Sequence, residues 1–311
     1  MSAKQSLNLD SPTEEIQTDL PFTFDETPSV SSRVKLDIGI VTHRGKVRSQ
    51  NEDAYIVYQT GRYWEHLQSS LEPGEVPGRV DEKSYVLAVA DGIGGRKGGE
   101  VASNLALRII VNLILKTGKY AAKLDNPETR NQEIQAAMAR AQDFFLRADQ
   151  ELLKYAENHP AVQGMGTTLT SAYVFGQDLF TMHVGDSRAY LLRNGKLYRL
   201  TKDQTFAQAL VDAGTLTPEE GERHFFRHTL TSCLGGKGGK VDLEIHHYQL
   251  FDQDLILICT DGLTDMVSES EIVTICSKES NAQSKCDRLL DQALQAGGKD
   301  NITAIVAGYS L

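Results

Sequence analysis

A chain of 311 residues can bury a sizeable core, as one large domain or two small ones. Its 32 Lys and Arg stand against 42 Asp and Glu, a formal charge of -10, which counts against nonspecific binding to nucleic acid or anionic membranes while leaving room for local basic patches. An uninterrupted apolar run of roughly 18 residues is absent, and the N-terminal segment has neither a basic start nor an apolar leader stretch, so the expectation is a soluble, cytoplasmic protein without a membrane span.

Residues 1–32 are rich in Ser, Thr, Asp and Glu with little to bury, which predicts a flexible acidic tail ahead of a domain at 33–311. Strand-favouring runs follow at 35–42, 54–59 and 84–90. Between the last two, residues 61–83 carry Trp64, Pro73-Gly74 and Pro77-Gly78 and read as an irregular excursion that Trp64 pins, with an exposed binding role as the alternative. Apolar residues three and four apart predict helices over 100–115 and 131–156. Strands at 167–175, 179–184, 188–193 and 196–200 then form an antiparallel meander, with Asn194-Gly195 as a hairpin turn.

Residues 203–240 mix short helical patterns with Gly214, Thr217-Pro218 and the run Gly235-Gly236-Lys237-Gly238-Gly239, the composition of a mobile flap or a surface excursion. Strand character resumes at 241–250, and helices are predicted over 268–277 and 282–296, the first N-capped by Ser268 with Glu271 three residues on. Helices between and after strands point to two antiparallel sheets with helices outside. Cysteines 233, 259, 276 and 286 form no close pair and read as reduced thiols, Cys259 being a small core residue of its strand.

Asp91-Gly92-Ile93-Gly94-Gly95 stands directly behind the apolar run 86–90, so a carboxylate ends a buried strand where glycines let the backbone approach a small charged ligand. Asp261-Gly262 repeats the arrangement behind 255–260, Asp300-Asn301 precedes the strand-like 302–307, and Asp53 opens 54–59. Four carboxylates at the mouths of apolar segments suit hard cations such as Mg²⁺ or Mn²⁺. A pair of such ions roughly 3.5 to 4 Å apart acidifies a bridging water. Asp53 and Asp91 are the bridging candidates, with Asp261, Asp300 and the Gly92 carbonyl completing the set and Glu52 orienting a water. Arg48 adds a guanidinium that matches phosphate oxygens bidentately, which favours phosphate-ester hydrolysis over peptide hydrolysis. Asp186 and Asp265 are either outer metal ligands or turn aspartates that cap their own backbone.

No two histidines stand at zinc-like spacing with a Glu between. His43, His183, His246 and His247 suit packing or surface roles, with phosphate positioning as the alternative for His43, and His224 and His228 suit structural or solvent-facing ones. The order GxxxxGK[ST] is absent, which disfavours a nucleotide-binding ATPase.

The segments Arg48-Ser49-Gln50-Asn51-Glu52-Asp53, Ala90-Asp91-Gly92-Ile93-Gly94-Gly95, Gly164-Met165-Gly166-Thr167-Thr168, Val184-Gly185-Asp186-Ser187-Arg188, Cys259-Thr260-Asp261-Gly262-Leu263 and Lys299-Asp300-Asn301-Ile302-Thr303 occur in this order. Each alone is ordinary. Together, over about 35–310, the chain resembles the metal-dependent serine/threonine protein phosphatases of the PP2C type, bacterial members most of all. The resemblance implies an α+β fold, a four-layer α-β-β-α sandwich with two central antiparallel sheets, and a flap at 203–240 that touches the substrate protein. It implies two core Mn²⁺ or Mg²⁺ ions on Asp53, Asp91, Gly92, Asp261 and Asp300, and a weaker third on Asp186, Asp261 and Asp265. Arg48 would face the phosphate, with Asp53 and Asp91 at the catalytic centre.

The reaction implied is in-line attack by bridging hydroxide on phosphoserine or phosphothreonine without a phosphoenzyme, so Cys259 is not needed as a nucleophile. The partners implied are phosphorylated proteins and a eukaryotic-type kinase with its substrates; nothing in the sequence requires association beyond a monomer. Gln204 after Asp203 departs from the histidine of many relatives, and 61–83 is longer than in compact members. Other readings are a metallohydrolase of small phosphate esters, a catalytically silent phosphoprotein-binding module, and a scaffold.

Overall fold

Two antiparallel sheets stack face to face, and their arrangement explains why so many strands read as continuous apolar runs. The computed structural model describes residues 30–71, 75–94, 98–117, 124, 126–236 and 241–311. Of the features expected from sequence, the acidic tail up to residue 29, the turn at 72–74, Gly95 with Arg96-Lys97, and the glycine run at 237–240 lie outside the described residues.

After one helical turn, α1 (Val30–Arg33), come β1 (Lys35–His43), β2 (Asp53–Glu65) and β3 (Arg79–Ile93), then α2 (Gly98–Thr117) and α3 (Arg130–Asn158). Strands β4 (Gly166–Thr167), β5 (Leu169–Phe175), β6 (Asp178–Val184), β7 (Arg188–Arg193) and β8 (Lys196–Arg199) follow. Short helices α4 (Phe206–Asp212) and α5 (Pro218–Arg223) and strand β9 (Leu234–Gly235) lead to β10 (Glu244–Gln249) and β11 (Leu255–Cys259). The order ends with α6 (Asp261–Thr264), α7 (Glu269–Lys278), α8 (Ala282–Gln295) and β12 (Ile302–Ser310).

One sheet runs β1-β12-β11-β7-β8, the other β10-β6-β5-β3-β4-β9 with β2 on the free side of β3. Alternate residues of each central strand serve different layers. Ile256 and Ile258 of β11 and Ile305 and Ala307 of β12 meet Leu87 and Val89 of β3 between the sheets. Leu255, Leu257 and Cys259 instead pack under Ile272 of α7 and Cys286 and Leu289 of α8. On the far side Ala88 and Ala90 pack under Ala102 and Ala106 of α2 and Leu152 of α3. Both strand faces are therefore dry, and the order of layers is helix, sheet, sheet, helix. Helix α2 is long and apolar enough to cross a membrane, but Ala102, Ala106 and Leu107 lie buried in this layer.

Local signals match the elements they predicted. Asn194 and Gly195 turn β7 into β8 with φ of 52° and 73°, the positive values a tight primed turn requires. Ser268 Oγ accepts from Glu271 N while the Glu271 side chain accepts from Ser268 N, a capping box that starts α7. All four cysteines are free thiols. Burial holds the Cys259 and Cys286 thiols up at about 12, which leaves them inert.

Residues 61–65 and 79–83 depart from the expected irregular excursion, whereas 66–71 and 75–78 lie outside any strand. The β2–β3 ladder continues outward from Gly61↔Lys83 to Glu65↔Arg79, extended by the Arg62–Glu82 ion pair at 2.6 Å and the Arg79 guanidinium over the Tyr63 ring. Trp64 is 60 % exposed and pins nothing. Residues 61–65 are exposed throughout, and the buried residue of 79–83 is the charged Glu82, so no apolar alternation marks the hairpin.

Candidate metal centre

Four chain segments converge at one end of the sandwich. Asp53 opens β2 and faces Asp91, near the end of β3, in direct cross-strand register. Asp261 opens α6 two residues past the end of β11, and the turn before β12 delivers Asp300. Thr260 and Thr303 link the last two segments: Thr260 N donates to the Thr303 carbonyl at 3.0 Å, and Thr303 N donates to Thr260 Oγ1 at 3.0 Å. Thr260 Oγ1 in turn donates to Asp53 Oδ2 at 2.9 Å, tying the two sheets together at the carboxylate.

Backbone restraint fixes each carboxylate. The expected strand over 167–175 breaks at Thr168, which leaves the ladder to hold Asp91: Thr168 N donates to the Asp91 carbonyl, and Asp91 N to Thr168 Oγ1, each at 2.9 Å. Asn301, 5 % exposed, accepts from Glu52 N at 2.7 Å and donates to the carbonyls of Arg44 and Gln50 at 3.0 and 2.8 Å. Ser103 of α2 donates to the Glu52 carbonyl at 2.7 Å. Gly92 and Gly262 are required by contact: a Cβ would fall 2.1 Å from the Gly99 carbonyl oxygen in the first case and 1.9 Å from that of Asn301 in the second. The Asp-Gly pairs thus let neighbouring backbones close around the acids.

These carboxylates are poor neighbours without a cation. Asp53 is raised to about 7, chiefly by burial, with repulsion from Asp261 and Asp300 added and the threonine bonds opposing. Asp91 is held well above the usual range by burial and then by Asp53, Asp261, Asp186 and Asp300. Asp186 is raised likewise by burial and by Asp261 and Asp203. Oδ1 of Asp53 and Oδ1 of Asp261 are buried and have no hydrogen-bond partner among the described residues. Buried acceptors left unsatisfied are costly, by roughly 1–3 kcal/mol each. All-oxygen donors, mutual repulsion and orphaned buried oxygens fit hard divalent cations.

Arg48, over half exposed, donates to Asp300 Oδ2 at 2.7 Å, and that bond raises the guanidinium further. Beside the core acids, Asp186, His228 and Asp261 offer ligand atoms within 4.8 Å of one another. Asp265 joins them because α6 is one turn long and Asp265 N bonds the Asp261 carbonyl at 2.8 Å. The structure therefore brings Arg48, Asp53, Asp91, Gly92, Asp186, Asp261, Asp265 and Asp300 to one end of the fold.

His228 is the residue that sequence reasoning missed. Its Nδ1 lies 3.4 Å from Asp261 Oδ2 and its Nε2 3.2 Å from Asp265 Oδ2. The two aspartates raise it to about 10, so it stands as a cation in the metal-free chain. No spacing signals it, because it reaches the acids only through the path of 203–236. Of the other histidines, His183 is buried between Thr170 and the Lys202 carbonyl, His247 pairs with Asp178 at 2.6 Å, and His43, opposite Ile302 at the end of β1, accepts from Gly45 N through Nδ1.

Residues 203–236 pack α4 and α5 beside the centre. A groove of about 1010 Å³ separates them from α6 and α7, lined by Asp186, Arg223, Arg227, His228 and Asp265 among others. Gln204 is buried and structural: its Oε1 accepts from Gly185 N at 2.9 Å and its Nε2 donates to the Asp242 carbonyl at 2.5 Å. At the rim Phe225 is 87 % exposed and stacks edge-on against Phe226.

Asn301→Ala should weaken Mn²⁺ binding by about 10–100-fold, the usual effect of losing a group that orients a ligand. Three bonds that shape the Glu52–Asp53 loop go with it. Calorimetric titration of chelator-stripped protein measures this, and an unchanged affinity would separate Asn301 from the centre.

Comparison with known proteins places these features in a wider set. A family profile described as Protein phosphatase 2C matches residues 77–303. The serine/threonine protein phosphatase PstP of Mycobacterium tuberculosis is 36 % identical over 266 residues, 85 % of this chain but 43 % of that protein. The chain thus spans less than half the length of that relative. The serine/threonine phosphatase stp of Listeria innocua is 30 % identical over 270 residues, 87 % of this chain and 94 % of that one. Among solved structures, the catalytic domain of PstP in complex with two manganese ions aligns with a TM-score of 0.68 at 31 % identity, covering 89 % of this chain and 100 % of that chain.

Proposed function

The chain belongs to the protein phosphatase 2C family, and from that membership and the geometry of its acidic centre we propose that it is a metal-dependent hydrolase of phosphoserine and phosphothreonine in proteins. One observation carries the reading: carboxylates from both sheets converge, with two buried oxygens lacking partners among the described residues, beside an exposed arginine. The phosphatase unit is 33–311, with the flap at 203–240.

Asp53 and Asp91, together with Asp261, Asp300 and the Gly92 carbonyl, would hold two Mn²⁺ or Mg²⁺ ions. Asp186, Asp261 and Asp265 would hold a weaker third ion, for which His228 substitutes as counter-charge in the metal-free chain. When bound, the ions supply an acidified water for attack on phosphorus and neutralise the phosphoryl oxygens. The chain's own residues do the positioning. Thr260 fixes the Asp53 carboxylate, Thr168 fixes the Asp91 backbone, and Arg48 turns the phosphate toward the aspartates. Cys259 takes no part, since its thiol is fully buried and held near 12.

Substrates on this reading are cytoplasmic phosphoproteins, including a kinase of eukaryotic type and its targets, met by a monomeric enzyme whose flap contributes contacts beyond the reacting group. Phosphate release from a phosphothreonine peptide tests it, using chelator-stripped protein resupplied with Mn²⁺ or Mg²⁺. Release restored by metal supports the proposal. Metal binding without release from several phosphopeptides favours a silent binding module, and turnover of small esters alone favours the small-ester enzyme.

Arg48→Ala is expected to lower kcat/KM by about 10–100-fold, the worth of a charge-assisted hydrogen bond to the substrate. Arg48→Lys should recover only part, since an ammonium cannot grip two phosphate oxygens in one plane. Full activity in Arg48→Lys would remove the bidentate role.

A further inference from the structure

Between the outer face of the larger sheet and helices α2 and α3 lies a cavity of about 120 Å³, on the face of the sheet away from the other sheet. Its floor is two neighbouring cross-strand rows. Ile56, Ala88, Ser171, Met182 and Ile245 form one, in register across β2, β3, β5, β6 and β10; Tyr58, Val86, Tyr173 and Phe180 belong to the next. The hollow has a plain cause. Ala88 and Ser171 are the two smallest side chains of the first row and stand side by side at its centre, while Ile110, Val111 and Ile114 of α2 and Phe144 and Phe145 of α3 close over them.

The lining is mostly apolar, with Thr60, Thr117, Arg140 and Tyr173 also bordering it, and two of its hydroxyls face a missing partner. Ser171 is 5 % exposed, and its Oγ is buried with no hydrogen-bond partner among the described residues. The Tyr58 hydroxyl is buried and unpartnered in the same way, and burial raises its pKa further. A buried hydroxyl without a partner is disfavoured, and two on one apolar cavity specify what would fit it. An apolar cavity of about 150 Å³ holds a benzene ring.

We propose that this cavity is a binding site for a small, largely apolar molecule no larger than about a single benzene ring, carrying one hydroxyl or carbonyl oxygen. The apolar body fills the space over Ala88, and the oxygen bonds Ser171 Oγ or the Tyr58 hydroxyl. The site is separate from the acidic centre and does not depend on the proposed phosphatase activity. Its floor strands are nonetheless the ones that carry Asp53 and Asp91 three residues beyond Ile56 and Ala88.

The test uses phenol and benzene, which share a ring and differ by one hydroxyl, titrated into the full chain by calorimetry and protein-observed NMR. One molecule of phenol per chain is expected, with shifts confined to α2, α3 and the two rows. The double variant Tyr58→Phe with Ser171→Ala only removes atoms and so keeps the packing; it should reduce the preference for phenol over benzene by about tenfold, as expected from one or two lost hydrogen bonds. Ala88→Leu fills the hollow and should abolish binding of both, with circular dichroism confirming the fold. Absence of saturable binding, a preference untouched by the double variant, or binding undiminished in folded Ala88→Leu would each overturn the proposal.

Discussion

Asp91→Asn is expected to lower phosphopeptide turnover by about a thousandfold or more while leaving the fold intact. An ion's share of charge stabilisation in such a reaction amounts to several kcal/mol, and each ~1.4 kcal/mol is a factor of ten in rate. The substitution removes one negative charge from the place where Asp53, Asp186, Asp261 and Asp300 act together. It leaves the backbone restraint alone, because Thr168 holds Asp91 through main-chain N–H and C=O groups. A second, opposite effect separates a ligand from a merely structural acid. In the metal-free state the variant should melt higher than the unmodified chain, since a buried, repelled carboxylate has become neutral. Under saturating Mn²⁺ the order should invert. Turnover unchanged at limiting metal, or a lower melting temperature in both states, would sink the assignment of Asp91.

Much of this was legible in the sequence, for reasons tied to particular residues. Runs such as 86–90 and 255–259 are apolar throughout because each strand is covered on both faces. A carboxylate at the end of such a run is conspicuous, and the Asp-Gly pairs record backbones that approach too closely for a Cβ. The Ser268 capping box and the Asn194-Gly195 turn are local and depend on nothing distant.

What stayed hidden depends on partners far along the chain. Thr168 looks like one more strand residue until Asp91 claims both its N–H and its hydroxyl. His228 meets Asp261 and Asp265 only after α4 and α5 have folded beside them. Gln204 reads as a departure from the histidine of many relatives, and its amide is used up between Gly185 and Asp242. The pairing of 61–65 with 79–83 escapes because 61–65 are exposed throughout and the buried residue opposite is the charged Glu82, so apolar periodicity has nothing to report.

Raising the pH from 5 to 7.5 should lower the melting temperature of the metal-free protein by about 5 °C or more, and added Mn²⁺ should cancel most of that loss. Asp53 has an ordinary value of 3.8 when exposed and about 7 when folded. Between those values the folded chain holds a proton that the unfolded chain has released. Stability then falls as pH rises, because the native state binds more protons than the unfolded state. Asp91 and Asp186 are raised too and act in the same direction. His228, raised from 6.5 to about 10, adds stability below 6.5 that is lost as pH climbs toward 10, again the same sign. His183 opposes them: it is lowered from 6.5 to about 4, so its penalty is relieved as pH rises through that window. One histidine against three carboxylates leaves the net slope negative. His183 is bonded to Thr170 and Lys202 and not to the acidic centre, so its contribution is the same with and without metal and drops out of the difference. Ions at about a hundred times their dissociation constant contribute roughly 2.7 kcal/mol, more at pH 7.5 than at pH 5 because at low pH they must displace the protons on Asp53 and Asp91. Melting curves at both pH values, with chelator and with Mn²⁺, measure this directly, and a metal-induced gain that is equal or larger at pH 5 would show that the buried aspartates are not the groups binding the ions.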